Sequence, residues 1–216
     1  VINAVSTPTN NKTQVLSGTK ATDALTINVT VLTATVGTVT YPNSTSWQVT
    51  LTNLSEGNNP ITVNAQNNNG YSNDVVTNIV IDTTGPGAPV IGNLPASINV
   101  NSYTVTGTAE SGSTVKVYVG GVLKNTGVAT GGVFSILISS LSDGANNVEA
   151  IAVDTLGNVG PTASATLYID TTAPSVPVIN SLPASINVTS YPVTGTAEVG
   201  SIVYVYIGDV LVATGS

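Results

Sequence analysis

Asp82-Thr-Thr-Gly-Pro and Asp170-Thr-Thr-Ala-Pro open two versions of one sequence unit, spaced 88 residues apart. Leu94-Pro-Ala-Ser-Ile-Asn-Val returns as Leu182-Pro-Ala-Ser-Ile-Asn-Val, and Tyr103-Thr-Val-Thr-Gly-Thr-Ala-Glu110 returns as Tyr191-Pro-Val-Thr-Gly-Thr-Ala-Glu198. Roughly two-thirds of the aligned positions are identical, over a period far longer than the ~20–50 residues of a solenoid turn. A unit of this size is a whole small domain. A chain built this way is an array, and arrays act through length, surface and multiplicity more than through a single active site.

A diverged earlier version is also visible. Trp47-Gln-Val-Thr-Leu-Thr-Asn-Leu-Ser-Glu-Gly aligns with Phe134-Ser-Ile-Leu-Ile-Ser-Ser-Leu-Ser-Asp-Gly, and Asn67-Asn-Asn-Gly with Asp154-Thr-Leu-Gly. The expected division is therefore repeat one at residues 1–82, repeat two at 83–170, and the N-terminal half of repeat three at 171–216. Half a sandwich cannot bury its apolar face. Either the segment is cut from a longer array, which is the simpler event, or strands of another chain complete the third repeat in trans.

The apolar period is two. Val115, Val117 and Val119 alternate with Lys116 and Tyr118, and Ala163, Ala165, Leu167 and Ile169 alternate with Ser164, Thr166 and Tyr168. Such alternation places one set of side chains on a core face and the other in solvent. The runs are rich in Val, Ile and Thr and are separated by Gly120-Gly, Thr130-Gly-Gly, Asp143-Gly and Leu156-Gly-Asn, which are hairpin and corner chemistry. No helical stripe of useful length is present. The expected fold is all-β, a string of immunoglobulin-like β-sandwiches. Trp47 and Phe134, the large aromatics of repeats one and two, are expected to plug the two cores. The connectors Thr83-Thr-Gly-Pro-Gly-Ala-Pro89 and Thr171-Thr-Ala-Pro-Ser-Val-Pro177 are short and stiffened by proline. Gly85-Pro-Gly is expected to bend more easily than Ala173-Pro-Ser.

Composition removes several function classes. The chain has no Cys, no His and no Arg, four Lys and a formal charge of −7. Disulfides and thiolate metal sites are absent, and phosphate neutralisation lacks its basic patch, which argues against nucleic-acid partners. So little charge, with solubility left to hydroxyls, amides and mild acidity, points to an extracellular or cell-surface setting. No stretch reaches the ~18 apolar residues of a membrane helix, so membrane insertion of this segment is not expected. A basic-then-apolar leader is also missing from the first residues, which fits a piece from the interior of a secreted protein.

The run Trp47…Leu54-Ser-Glu-Gly-Asn-Asn-Pro-Ile-Thr-Val-Asn-Ala65 with Asn69-Gly-Tyr-Ser resembles bacterial Ig-like repeat domains, as does Phe134…Leu141-Ser-Asp-Gly-Ala-Asn-Asn-Val-Glu-Ala-Ile-Ala-Val-Asp154-Thr-Leu-Gly-Asn158. The resemblance covers essentially the whole chain. It implies tandem sandwiches of a large surface adhesin or secreted repeat protein, serving as stalk or spacer, with a surface ligand or further copies of the chain as partners. Two alternatives stay open: a self-assembling filament subunit, and a carbohydrate-binding accessory array of a secreted enzyme.

The resemblance also implies calcium at domain junctions, where hard Ca²⁺ takes six to eight oxygens. The candidate ligands are Asp82, Asp143, Asp154 and Asp170. Repeat one carries Asn67 and Glu56 where repeat two has Asp154 and Asp143, which weakens such a site. The competing reading is that these carboxylates shape turns by accepting neighbouring backbone N–H groups. A Lys–Asn isopeptide bond common to all repeats is excluded, because Tyr204 and Val212 replace Lys116 and Lys124. Sequons at Asn11, Asn28, Asn43, Asn53 and Asn187 are background in a chain rich in Asn and Thr. Enzymatic activity is not expected: no His stands ready to activate a Ser or Thr, and Glu110 recurs as Glu198 beside glycine, as a turn residue would. Tyr118, recurring as Tyr206 beside Tyr204, falls on the polar phase of its strand and is a candidate contact for sugars or a protein.

Overall fold

The alternating Val, Ile and Thr runs form β-strands throughout residues 1–216, which a computed structural model describes in full. In repeat two, one sheet joins β9 (Val90–Ile91), β10 (Tyr103–Thr108) and β13 (Val133–Ile138) in the order β13-β10-β9. The other joins β11 (Thr114–Val119), β12 (Val122–Val128), β14 (Gly144–Val153) and β15 (Val159–Ile169) in the order β12-β11-β14-β15. All pairings within these two sheets are antiparallel. The inward phase of the facing strands, including Val105, Val117, Phe134, Ile136, Val148 and Leu167, is buried as one cluster between the sheets.

Repeat one is laid out alike. β1 (Gln14–Thr19), β3 (Thr35–Val36) and β4 (Thr40–Asn43) all pair with β5 (Ser46–Thr52). The facing sheet contains β2 (Thr26–Val31), β6 (Gly57–Asn67), β7 (Gly70–Tyr71) and β8 (Val75–Ile81). A separate cluster built on Leu16, Trp47, Leu51, Ile61 and Ile79 lies between them. The chain is thus an all-β string of Ig-like sandwiches joined by short proline-containing connectors.

Each aromatic plug sits over a glycine on the neighbouring strand. Trp47 is the register partner of Gly18, and Phe134 of Gly107. A Cβ built on Gly107 would lie 2.6 Å from Phe134 Cζ and would overlap the Val90 carbonyl oxygen. Glycine is needed there because any side chain would collide with the ring packed against its backbone. Trp47 and Phe134 are 2% and 4% exposed, so both act as core side chains.

In both repeats the segment before the first long strand runs parallel to the last strand. Thr9 N–H donates to the Val80 carbonyl (3.1 Å) and Asp82 N–H to the Thr9 carbonyl (3.0 Å). Ile98 N–H donates to Tyr168 (3.0 Å) and Asp170 N–H to Ile98 (2.9 Å) in the same pattern. After Ile169 the strands are β16 (Val178–Ile179) with β17 (Gly195–Thr196), and β18 (Val203–Ile207) with β19 (Val210–Gly215). β18 repeats the bulge of β11, at Val205/Tyr206 for Val117/Tyr118. β11 has partners on both sides, whereas β18 pairs with β19 alone, and no residue from Asp170 onward is buried.

Candidate functional site: the outlets of the repeats

The most elaborate polar chemistry of the chain lies where each repeat hands over to its connector. It begins with a buried amide. Asn146 Nδ2 donates to the carbonyls of Ser142 (2.8 Å) and Gly144 (3.1 Å), tying down the Leu-Ser-Asp-Gly corner before β14. In repeat one Asn59 Nδ2 donates to Ser55 (2.8 Å), Gly57 (2.9 Å) and Ile79 (3.2 Å), while its Oδ1 accepts Ser55 N–H (2.9 Å) and the Thr33 hydroxyl (2.6 Å). Both asparagines are among the few buried polar side chains. A buried amide persists only when its donors and acceptors are satisfied, so each fixes the shape of its corner.

That corner carries the acid. Asp143 Oδ1 accepts the Thr171 N–H (3.0 Å) and hydroxyl (2.8 Å), and Oδ2 accepts the Thr172 hydroxyl (3.2 Å). Glu56 does the same in repeat one: it accepts Thr83 N–H (3.0 Å), the Thr83 hydroxyl (2.6 Å) and the Thr84 hydroxyl (3.2 Å). The hydroxyls of Thr171 and Thr83, helped by their backbone N–H groups, hold both carboxyls below their ordinary values. Asp82 and Asp170 complete the outlet as Asx turns, accepting Thr84 N–H (3.1 Å) and Thr172 N–H (3.2 Å). The Asp-Thr-Thr signature is therefore the clamped end of a sandwich.

Asp154 lies in the loop between β14 and β15. Its Oδ1 accepts Leu156 and Asn158 N–H (both 2.8 Å), and Oδ2 accepts Asn158 Nδ2 (2.8 Å). Partial burial pushes this carboxyl up, but the hydrogen bonds from Asn158, Leu156 and Gly157 outweigh it and leave it lowered. For calcium the four candidate aspartates are a poor fit. Asp143 and Asp154 already have both oxygens engaged by N–H and O–H donors, which a cation would have to displace or share.

The remaining candidates fall elsewhere. Glu110 and Glu198 open equivalent turns, in which Ser113 and Ser201 donate both N–H (3.1 Å) and hydroxyl (2.7 Å) to the glutamate carbonyl. Tyr204 and Tyr206 are exposed, while Tyr118 is half-buried. Sequence reasoning missed the Glu56 and Asp143 clamps and the two buried asparagines. Their shared signal was the Leu-Ser-acid-Gly corner followed two residues later by Asn, present in both repeats.

Residues 88–168 match the family model of the bacterial Ig domain. No curated protein matches the chain. Among solved structures the chain is similar to the BSP domain of a biofilm-associated protein, at 24% identity and TM-score 0.32, over 76% of this chain and 29% of that one. It is also similar to fibronectin(III)-like modules of Clostridium thermocellum CbhA, at 14% identity and TM-score 0.44, over 78% and 94%. A third is part of a 1.5-MDa bacterial ice-binding adhesin, at 20% identity and TM-score 0.44, over 81% and 63%. The chain spans less than a third of the biofilm-associated structure.

Proposed function

We propose that the chain is a structural module of an extracellular or cell-surface repeat protein, the stalk of an adhesin or matrix protein. The observation that carries this reading is the parallel pairing of first segment and last strand in both complete sandwiches, Thr9 with Ile81 and Ile98 with Ile169. Tension on the ends of a repeat slides these segments past one another, so their hydrogen bonds are loaded together in shear instead of opening one by one. The Glu56 and Asp143 clamps reinforce the point where tension leaves each sandwich. Each sandwich is roughly 30–40 Å long from strand dimensions plus loops, and serial copies extend whatever the array carries at its end. The low charge and the bacterial Ig match support placement outside the cell.

The test is Ile98→Pro, which removes the donor to Tyr168. Single-molecule pulling on this variant should show a weaker unfolding peak for repeat two and an unchanged peak for repeat one. Equal peaks would remove the shear account. A second reading is a filament subunit whose third repeat is completed in trans by strands of another chain. Size-exclusion chromatography separates the two: long polymers establish the filament, and a monodisperse monomer removes it.

A further inference from the structure

We infer that the Asp154–Gly160 loop of repeat two is a socket for the outlet of the repeat before it, so that repeats one and two form a rigid pair with a set angle. This goes beyond the stalk reading, since a rigid pair is compatible with any role of the array.

Two side-chain amides cross the junction in opposite directions. Asn158 Nδ2 of repeat two donates to the Asp82 carbonyl of repeat one at 2.9 Å. Asn10 Nδ2 of repeat one donates to the Leu156 carbonyl of repeat two at 2.8 Å. The same Asn158 nitrogen also donates to Asp154 Oδ2 at 2.8 Å, so both of its hydrogens are used. Asp154 in turn holds the backbone of Leu156 and Asn158, which presents the two junction groups from a preformed loop.

Between these bonds the backbones touch. A Cβ on Gly85 would overlap the Val159 carbonyl, and a Cβ on Gly160 would overlap the Pro86 carbonyl. Pro86 and Pro89 are buried. Gly85 therefore serves close approach here, where the sequence suggested only that Gly85-Pro-Gly makes the connector easier to bend. A connector that must seat its backbone against a strand has lost the freedom its glycines would otherwise confer.

The fit is selective. Ala173 occupies the Gly85 position in the next connector, and its methyl group would strike the carbonyl that Gly85 clears. Repeat one has Asn67 and Tyr71 where the socket has Asp154 and Asn158, and a phenol cannot supply two amide hydrogens. The partner this surface fits is thus a repeat outlet carrying glycine at the position of Gly85 and asparagine at that of Asn10.

The chain has no cysteine, so spin labels can be placed at Ser44→Cys and Ser135→Cys alone. Pulsed electron–electron distance measurements should give one narrow distribution for the parent. Gly85→Ala should broaden or displace it, and Asn10→Ala should broaden it, with two unchanged thermal transitions showing that both sandwiches remain folded. Gly87→Ala, where a Cβ meets nothing within 4 Å, should leave it narrow. A broad distribution in the parent, or an unaltered narrow one in both Gly85→Ala and Asn10→Ala, would overturn the inference.

Discussion

Asp143 accepts both the backbone N–H and the hydroxyl of Thr171, at 3.0 and 2.8 Å, although 28 residues separate them. Glu56 repeats the arrangement with Thr83 one domain earlier. Recurrence in two diverged repeats marks the contact as part of how the unit ends, and it makes the outlets acid-sensitive. Both carboxyls are lowered in the fold, so the unfolded chain binds more protons in the acid range. Their contribution is fully present above the ordinary values of 4.5 for Glu56 and 3.8 for Asp143, and it is lost as pH falls through the lowered folded values. Melting temperature should therefore drop as pH is taken below about 4.5, with a shallower drop in the Glu56→Gln/Asp143→Asn double variant. Parallel pH profiles for the two proteins would contradict this.

Replacing Asn146 by Ala removes the donor to the Ser142 and Gly144 carbonyls inside the corner that presents Asp143. The freed carbonyls belong to exposed residues that water can reach, so each lost hydrogen bond costs about 0.5–1.5 kcal/mol. Chemical denaturation should show this loss in the transition of repeat two and not in that of repeat one.

Gly107→Ala forces a methyl group against the Phe134 ring and the Val90 carbonyl. Overpacking of this kind costs about 1–3 kcal/mol. Pairing it with Phe134→Leu should recover part of the cost of the first change, a coupling that a double-mutant cycle measures. Strict additivity would mean that ring and glycine do not constrain one another.

Calcium should leave the melting profile unchanged, because both oxygens of Asp143 and of Asp154 already accept N–H and O–H donors. A calcium-dependent rise that EDTA reverses and Asp154→Ala abolishes would show that the loop rearranges around a cation.

The strand pattern was legible because burial on a sheet has a period of two. Val115 and Val117 are fully buried and their neighbours are not, as alternation alone requires. The turn role of Glu110 was legible because it recurs at Glu198. The outlet clamps were not, since Glu56 to Thr83 is a contact across 27 residues that only the sandwich topology brings together. Asn59 and Asn146 were hidden among many surface asparagines, as nothing local marks an amide for burial. The use of Gly85 was hidden for a related reason: the sequence shows conformational freedom, while the close approach is set by Val159 and Gly160 of the following repeat.

Whether the chain is a series of sandwiches built to stand tension is tested most directly by pulling residues 1–216 end to end in a force microscope. Two separate unfolding peaks are predicted, each releasing roughly 250 Å, the reach of about 80 extended residues less the folded length. A smooth extension without peaks, or one event releasing both repeats together, would contradict it.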